Sequence, residues 1–273
     1  MRVSVPEADN LIGLPVSVLD KGSVTLLDYM GSDASIVQSA RTSYGPGTKT
    51  VNEDKGLINY LMRHEHWTPF EMVELRWHIK LPLFVFAQWV RHRTANVNSM
   101  SARYSEMPDE FYLPMDWRGQ SLINKQSSDG LIDNQEFAIT ECDNHSFKSY
   151  AVYEAMLEQG VSREMARMVL PQNLYTEIVW KCDLRNLFNF LKLRLDAHAQ
   201  LEIQEYARAL VPAVKAVAPV AYEAFENHIL GSSKFSADEL EILMSALDEN
   251  IVRAKLESLP KRRQAELLAK LRL

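Results

Sequence analysis

The chain has 273 residues, 47% of them hydrophobic and 24% charged, with a formal net charge of −6 at pH 7. This size and composition predict an ordinary soluble globular protein and argue against intrinsic disorder. The acidic balance argues against broad nucleic-acid binding, which needs a basic face over many phosphates. We find neither an apolar stretch of bilayer-spanning length nor a signal-peptide core at the N-terminus. We therefore expect a cytoplasmic protein with no membrane partner.

The first eighty residues show alternating strand and helix patterns. Residues 16–30 predict two strands around a turn at 20–23, because Asp, Gly and Ser favour turns. The Gly-Pro-Gly at 45–47 predicts a turn or hinge, and residues 53–63 predict a helix. Residues 75–81 alternate apolar and charged side chains, which predicts a strand that is buried on one face or lies at a sheet edge.

A helix is predicted next, at residues 82–93, because Pro82 suits the first turn of a helix. On such a helix Gln88 and Arg91 share a face, with His92 at its edge. Residues 94–99 have short side chains that hydrogen-bond backbone groups, so we expect a loop there.

The middle of the chain combines a polar segment with further helices. Residues 113–135 are polar and contain Gly and Ser, and they predict a long mobile surface loop. Residues 136–159 predict a helix that ends at Gly160. Ser162 is placed to cap a following helix that stops before Pro171.

The two cysteines, Cys142 and Cys182, are too few for a disulfide framework or a thiolate metal site. Residues 176–182 alternate in a way that predicts a half-buried strand, with Cys182 on the buried face. Lys181 would then point to the opposite face and could not activate the thiol. We therefore predict packed, reduced cysteines and no cysteine nucleophile.

Asp183 is a favourable N-cap for the helix predicted after this strand. Apolar residues follow at helical spacing: Leu184, Leu187, Phe188, Leu191 and Leu195. Arg194 and His198 are predicted to lie beside this apolar face. A buried arginine needs an anionic partner, and the residues alone leave open whether that is a structural carboxylate or a ligand.

The last forty residues predict a helical extension. One helical run begins at Ser236, and a second helix follows Pro260. This extension would pack on the core or on a neighbouring subunit. Together the elements predict an α+β fold, with mixed helices around a largely antiparallel sheet and a C-terminal helical extension.

Residues 91–105 concentrate hydrogen-bond donors in a short segment. They include three arginines, a histidine, two asparagines and three serines. A single arginine is more often a solvated surface charge. A group of this kind matches the oxygens of phosphate or carboxylate in two-point contacts, so we predict an anion site.

Metal and dinucleotide motifs are absent from the sequence. His64 and His66 lack a third ligand at metal spacing, so no metal site is predicted. There is no Gly-x-Gly-x-x-Gly and no phosphate-binding Gly-x-x-x-x-Gly-Lys-Ser/Thr motif, so the sequence predicts no Rossmann crevice for a dinucleotide.

Four ordered blocks resemble the flavin-dependent thymidylate synthases: residues 64–71, 88–105, 163–176 and 187–200. The most specific is Arg-His-Arg at 91–93, followed after seven residues by Ser101. The resemblance ends near residue 230. It implies a catalytic domain at 1–230 and an extension at 231–273.

The resemblance implies reductive methylation of dUMP to dTMP. Its carbon donor would be 5,10-methylenetetrahydrofolate, and NADPH would supply reducing equivalents through FAD. The active sites would be shared between subunits of a homotetramer. Arg194 would be the catalytic residue, placed to stabilise charge on the pyrimidine.

The resemblance also assigns binding residues. Those for dUMP would be Gln88, Trp89, Val90, Arg91, Ser99, Met100, Ser101, Ala102, Arg103, Arg167 and Arg194. Those for FAD would be Thr68, Arg91, His92, Arg93, Ser99, Asp183, Leu184, Arg185 and Asn189. The chain departs from the family in two places, with Ser99 where Glu is usual and Asp183 where Asn is usual.

Two alternatives stay open at this stage. One is an FAD-dependent NADPH oxidoreductase without methyl transfer. The other is a non-catalytic nucleotide- or RNA-binding protein with Trp89 and Tyr104 as stacking surfaces. A yellow protein would exclude the second alternative, and a response to dUMP would exclude the first.

Overall fold

The computed structural model of the chain describes residues 3–42 and 54–271. The predicted turn or hinge at 45–47 lies outside these residues. Two compact units are present, Met1–Leu230 and Gly231–Leu273. Within the described residues, no helix has both the length and the apolar character needed to cross a membrane.

A five-stranded sheet forms the centre of the first unit. Its strands are β1 (Pro15–Val18), β2 (Gly22–Met30), β3 (Glu74–Pro82), β4 (Asn96–Ser99) and β7 (Tyr175–Asp183), and a separate hairpin contains β5 (Arg118–Gln120) and β6 (Ser128–Leu131). The order in the sheet is β1-β2-β3-β7-β4, and all neighbouring strands are antiparallel. The predicted α+β class with a largely antiparallel sheet is confirmed.

The first unit also contains helices. They are α1 (Pro6–Asp9), α2 (Asp33–Thr42), α3 (Asp54–Arg63), α4 (Leu83–Trp89), α5 (Gln135–Glu158), α6 (Arg163–Ala166), α7 (Leu184–Arg194), α8 (Leu201–Val217) and α9 (Pro219–Phe225). Two 3₁₀ turns occupy Thr68–Met72 and Arg167–Val169, and a π-helical turn occupies Glu226–Leu230. The predicted helices at 53–63 and 136–159 are confirmed over their described residues.

Strand β3 shows how the alternation in the sequence becomes a core. Leu75, Trp77 and Ile79 are buried, and Trp77 is directly opposite Trp180 of β7. Each fully buried side chain of this size stabilises the fold by roughly 1.5–3 kcal/mol. The one-face-buried prediction is confirmed, whereas the edge alternative is wrong, because β3 lies between β2 and β7.

The structure corrects the prediction for residues 82–99. Helix α4 ends at Trp89 rather than at residue 93, and Pro82 is its N-cap. The segment predicted as a loop contains strand β4, which pairs with β7 from Asn96 to Ser99. Local propensity favours a loop here, but strand β7 supplies hydrogen-bond partners that only the folded sheet provides.

The polar segment 113–135 is also more regular than predicted. It contains the β5–β6 hairpin, closed by the side chain of Gln135, which accepts from the Trp117 N–H at 2.7 Å and donates to the Trp117 and Ile132 carbonyls at 2.8 Å each. The contacts with Trp117 join residues that are 18 positions apart in the sequence. Periodicity therefore could not reveal them.

Over residues 231–271, the described part of the second unit, there are three helices rather than the predicted two: α10 (Ala237–Ser245), α11 (Glu249–Leu256) and α12 (Lys261–Lys270). Ser236 caps α10 in a reciprocal capping box with Glu239, as its position predicts. The sequence analysis did not predict the boundary between α10 and α11. It lies at Asp248, whose carboxylate accepts from the N–H groups of Asn250 and Ile251. This cap starts a new helix inside the apolar run.

Two glycines of the first unit offer a paired stability test. A Cβ at Gly22 would overlap the Tyr206 hydroxyl and come within 2.7 Å of the Val18 carbonyl, whereas a Cβ at Gly56 in α3 meets nothing within 4 Å. We expect Gly22→Ala to lower the free energy of unfolding by about 1–3 kcal/mol through overpacking. Gly56→Ala should raise it by roughly 0.5–1 kcal/mol because the unfolded chain loses freedom. Urea unfolding of both variants measures this, and changes of the same sign would contradict it.

Candidate active site

The Arg-His-Arg motif follows α4 and is held in place by a buried tryptophan. The Trp89 ring is 1% exposed and packs against Trp180, Phe190 and Tyr206, with ring centroids 4.5–6.1 Å away. After Trp89 the backbone makes tighter turns, in which the Arg91 N–H bonds Gln88 and the His92 N–H bonds Trp89. Trp89 is therefore an anchor for the motif. The assignment of Trp89 to the substrate site stays a prediction, which its buried ring does not support.

Helix α7 brings a second set of side chains to the motif. Its N-cap Asp183 accepts from the Asn186 N–H at 3.0 Å, as its position predicts. The face predicted to be apolar is buried at Leu184, Leu187, Phe188 and Leu191. This packing orients the helix so that its last residue, Arg194, lies beside the motif. His198 does not lie on this face, because the helix ends at Arg194 and His198 is exposed against Asp196.

A small pocket of about 200 Å³ opens where these two elements meet. Its lining residues are Arg91, His92, Arg93, Thr94, Cys182, Asn186, Asn189, Leu193 and Arg194. Among the described residues, no carboxylate forms an ion pair with Arg91, Arg93 or Arg194. Three guanidiniums without counter-charges make this pocket suited to an anionic ligand.

Arg194 has an unexpected partner. Its Nε–H donates to Nε2 of His92 at 3.0 Å, and its Nη2 donates to the Gln88 carbonyl at 3.4 Å. The sequence-based expectation of an anionic side-chain partner is therefore not met within the described residues. Both partners are neutral, so the positive charge of Arg194 remains available to a ligand.

Burial and the positive charge of Arg194 lower the pKa of His92 to about 4. The imidazole is therefore neutral at pH 7 and can accept at Nε2, which assigns the remaining ring proton to Nδ1. Burial also lowers the pKa of Arg194. Arginine remains charged at pH 7 despite such a shift.

Gln88 links the pocket to a larger cavity. Its Nε2 donates to Oε1 of Gln200, the N-cap residue of α8. Gln200 also lines a cavity of about 760 Å³, bounded by the hairpin segment, α4 and the start of α8. This cavity is larger than the arginine pocket but lacks unpaired cations. We therefore assign anion binding to the smaller pocket.

A second group of predicted residues lies around Glu164. Arg103 forms an ion pair with the Glu164 carboxylate at 3.2 Å, and Arg167 donates to the Glu164 carbonyl at 3.3 Å. Ser101 belongs to the same turn, because its hydroxyl accepts from the Arg103 N–H at 3.3 Å. The turn is set by β4, since the Met100 N–H bonds the Glu177 carbonyl at 2.8 Å.

The remaining residues predicted near this turn differ in exposure. Ser99 pairs with Ile178 at the end of β4 and is exposed, whereas Met100 and Ala102 are half-buried. Val90 follows α4 and is exposed. Among the described residues, no hydrogen bond or ion pair joins the Glu164 group to the arginine pocket within one chain.

A third group lies where the 3₁₀ turn at Thr68–Met72 meets the start of α7. Thr68 is exposed, and Glu71 in the same turn forms an ion pair with Arg185. Leu184 is fully buried, and its N–H bonds the Val73 carbonyl at 2.8 Å. The assignment of Leu184 to the cofactor site stays a prediction, which its buried side chain and engaged N–H do not support.

Several residues of this region escape sequence reasoning. Asn186 lines the pocket and donates to Asp183 at 2.7 Å, and its spacing of three from the N-cap could have identified it. Gln200 is the last residue of the resembling block 187–200, but no role was assigned to it there. Arg118 and the buried Glu202 form a partly buried ion pair at 2.6 Å across 84 residues, which periodicity cannot reveal.

The two cysteines differ in exposure, since Cys182 is buried and Cys142 is half-buried. Cys182 lies on β7 in the wall of the pocket, and its burial, together with the charges of Asp183 and Glu74, raises the pKa of its thiol. Burial also raises the pKa of Cys142. Thiols with raised pKa values hold little thiolate at pH 7.

The alternative of an RNA-binding surface loses one of its two stacking residues. Tyr104 is 80% exposed, but Trp89 is buried under three aromatic rings. Stacking needs an accessible ring face. The structure therefore gives this alternative little support.

Comparisons with known proteins identify the family of this chain. The family described as "Thy1: Thymidylate synthase complementing protein" matches residues 25–220. A flavin-dependent thymidylate synthase from Thermus thermophilus is 53% identical over 247 residues, which cover 90% of this chain and 91% of the relative. One from Ehrlichia ruminantium is 47% identical over 271 residues, covering 98% and 91% respectively.

Solved structures show the same fold. The UMP/dUMP methylase PolB from Streptomyces cacaoi bound with 5-Br dUMP superposes with a TM-score of 0.71 at 29% identity, covering 78% of this chain and 98% of PolB. Its complex with 5-Br UMP gives a TM-score of 0.70 at 30% identity, covering 80% and 99% respectively. The extent of these matches shows that the chain is an enzyme that belongs to the flavin-dependent thymidylate synthase family.

Proposed function

We propose that this enzyme converts dUMP to dTMP, with 5,10-methylenetetrahydrofolate as carbon donor and NADPH as reductant through FAD. The observation that carries the proposal is the arginine pocket. Arg194 is held there by two neutral acceptors, beside Arg91 and Arg93, without an ion-paired carboxylate among the described residues. Binding of 5-Br dUMP and 5-Br UMP by PolB supports a uridine monophosphate as the ligand.

Arg194 would act on the pyrimidine. Carbon C5 of uracil is a weak nucleophile until negative charge develops on O4 and N3. A guanidinium fixed beside these atoms in a partly desolvated pocket stabilises that charge more strongly than water does. No protein nucleophile is then needed, which agrees with two cysteines of raised pKa.

The donor set fits a flavin dinucleotide in its chemistry. Arg91, Arg93, His92 and Asn189 supply cationic and neutral donors for diphosphate and ring oxygens, and exposed Thr68 lies on a nearby turn. Bound FAD would supply hydride chemistry, which belongs to the cofactor. The protein residues would orient the ligands and provide counter-charge.

The second group would hold the nucleotide phosphate. Arg103, Arg167 and Ser101 meet around Glu164 and offer the donors that a phosphate ester needs. Because this group has no described contact with the arginine pocket in one chain, we propose that complete sites form between neighbouring subunits of a cytoplasmic homotetramer. This assembly follows the family resemblance.

The direct test is anaerobic turnover of dUMP carrying tritium at C5. Purified protein would receive 5,10-methylenetetrahydrofolate and NADPH, with or without added FAD, and tritium release and dTMP would both be measured. FAD-dependent release with dTMP formed supports the proposal. A yellow protein that oxidises NADPH but keeps the label would be a reductase, and a colourless inert one a binding module. A parallel reaction with UMP tests whether the ribonucleotide is also methylated.

A cysteine-free variant tests the absence of thiolate chemistry. We expect Cys142→Ala/Cys182→Ala to keep methylation within about threefold of the native rate, because neither thiol is activated. Loss of one buried thiol would be seen mainly as a lower melting temperature. Activity would be measured well below that temperature. A loss of more than about a hundredfold in soluble, folded protein would point to covalent catalysis.

A further inference from the structure

The geometry of Arg194 distinguishes the two edges of its guanidinium. Nε and Nη2 lie on the same edge, and both donate to the protein, to His92 and to the Gln88 carbonyl. The other edge carries the Nη1 hydrogens and the second Nη2 hydrogen, and it has no partner among the described residues. The structure therefore determines which edge a ligand can use.

His92 is held rigidly enough to determine this orientation. Its ring packs edge-on against Phe190, with centroids 4.7 Å apart, and Phe190 is itself buried against Trp89 and Trp180. The Nε2 atom therefore has a fixed position. It can accept a hydrogen bond only when the imidazole is neutral. The Gln88 carbonyl is fixed in the same way by helix α4.

We infer that His92 is a positioning residue for Arg194: its Nε2 engages the Nε edge, so that the Nη1–Nη2 edge faces the pyrimidine. This role is additional to any contact that His92 makes with the flavin through Nδ1. It rests on the proposed function for its substrate, but the contact itself is independent of that function. A guanidinium free to rotate would lose the orientation on which two-point recognition depends.

Two substitutions separate the two sides of the imidazole. A glutamine places an acceptor near the position of Nε2, whereas an asparagine reproduces only the Nδ1 side. If His92 acts through Arg194, His92→Gln should keep kcat/KM for dUMP within about fivefold, and His92→Asn should lower it about a hundredfold. If His92 acts only on the flavin through Nδ1, His92→Asn should have the higher kcat/KM of the two variants. The exposed His145→Gln serves as the matched control.

Three measurements make the result independent of flavin loss. Bound flavin is measured from its absorbance, and kinetics are run at saturating FAD. Calorimetry of dUMP binding to flavin-free protein should show weaker binding in His92→Asn than in His92→Gln. The same pair of substitutions is then made in an Arg194→Ala background. There the dUMP affinities of the His92→Asn and His92→Gln variants should differ by less than about threefold, because the residue that His92 positions has been removed.

Failure of the proposed function and failure of the positioning role of His92 give different results. If the native protein makes no dTMP, the proposed reaction fails, while the dUMP affinities still test the contact. The positioning role would be overturned if His92→Asn and His92→Gln lower dUMP affinity and kcat/KM equally, or if His92→Asn is the more active variant. It would also be overturned if the difference between the two variants persists when Arg194 is absent. A Gln variant that rescues binding and turnover only when Arg194 is present establishes it.

Discussion

Replacing Arg194 with alanine is expected to abolish methylation of dUMP while the protein stays folded and yellow. Removing one preorganised donor from a site of developing negative charge typically costs about 10²–10³ in rate, and Arg194 would supply two donors and a full charge. We expect a loss of at least about 10³ in kcat/KM. The assay is dTMP formation at saturating FAD.

Arg194→Lys tests whether charge alone is sufficient. A lysine keeps the positive charge but lacks the planar fork, whose one edge holds His92 while the other offers two parallel donors to the ligand. We expect an intermediate loss of about 10–100-fold. Arg253→Ala is the matched control, because Arg253 pairs with Glu249 on an exposed helix of the second unit. It should retain full activity.

The stability of the Arg194→Ala variant should change little. His92 and the Gln88 carbonyl each lose a donor, but the site is only half-buried, so water can replace it. The expected cost is about 1 kcal/mol in unfolding free energy. If the variant loses its flavin together with its activity, Arg194 is a flavin-binding or structural residue instead.

Parts of the fold with local determinants were predictable from the sequence. The strand ending at Asp183 and the helix beginning there were correct, because alternation, an N-cap and helical spacing lie within a few residues of each other. Segment 94–99 was not, since its strand conformation depends on pairing with residues some eighty positions later in the chain. Pairing between strands so far apart in the sequence leaves no periodic pattern within either segment that would predict it.

The site shows the same division. The family resemblance indicated Arg194, and the structure places it beside the Arg-His-Arg motif. The acceptor role of His92 was missed because sequence reasoning sought a carboxylate for a buried arginine. A neutral imidazole fulfils the hydrogen-bonding need without cancelling the charge. Such a choice becomes visible only when distance and burial are known.

The second large effect should come from Arg118, outside the arginine pocket. Its Nη2 donates at 2.6 Å to Glu202, whose side chain is 4% exposed. The same carboxylate oxygen accepts from the Tyr112 hydroxyl at 3.3 Å, while Oε2 is buried without a described partner. Burial and the nearby carboxylate raise the pKa of Tyr112, so it remains a donor. Arg118 is thus the counter-charge of a nearly dry carboxylate.

Arg118→Ala is expected to lower the free energy of unfolding by about 3–5 kcal/mol, because an uncompensated buried charge remains. In a unit of this size that corresponds to a melting temperature roughly 6–15 °C lower. Thermal and urea unfolding would measure it. Arg118→Met/Glu202→Leu should recover most of the loss, since replacing both charges with apolar side chains is often neutral.

The Arg118 variant should also affect turnover, because the pair connects the hairpin segment to the first turn of α8. The N-cap of that helix is Gln200, whose side chain accepts from Gln88 beside Arg194. If the ion pair positions this end of α8, the double variant will regain stability but not full kcat/KM for dUMP. Full recovery of both would show that the pair serves stability alone. An Arg118→Ala melting temperature within about 2 °C of the native value would contradict a buried, uncompensated carboxylate.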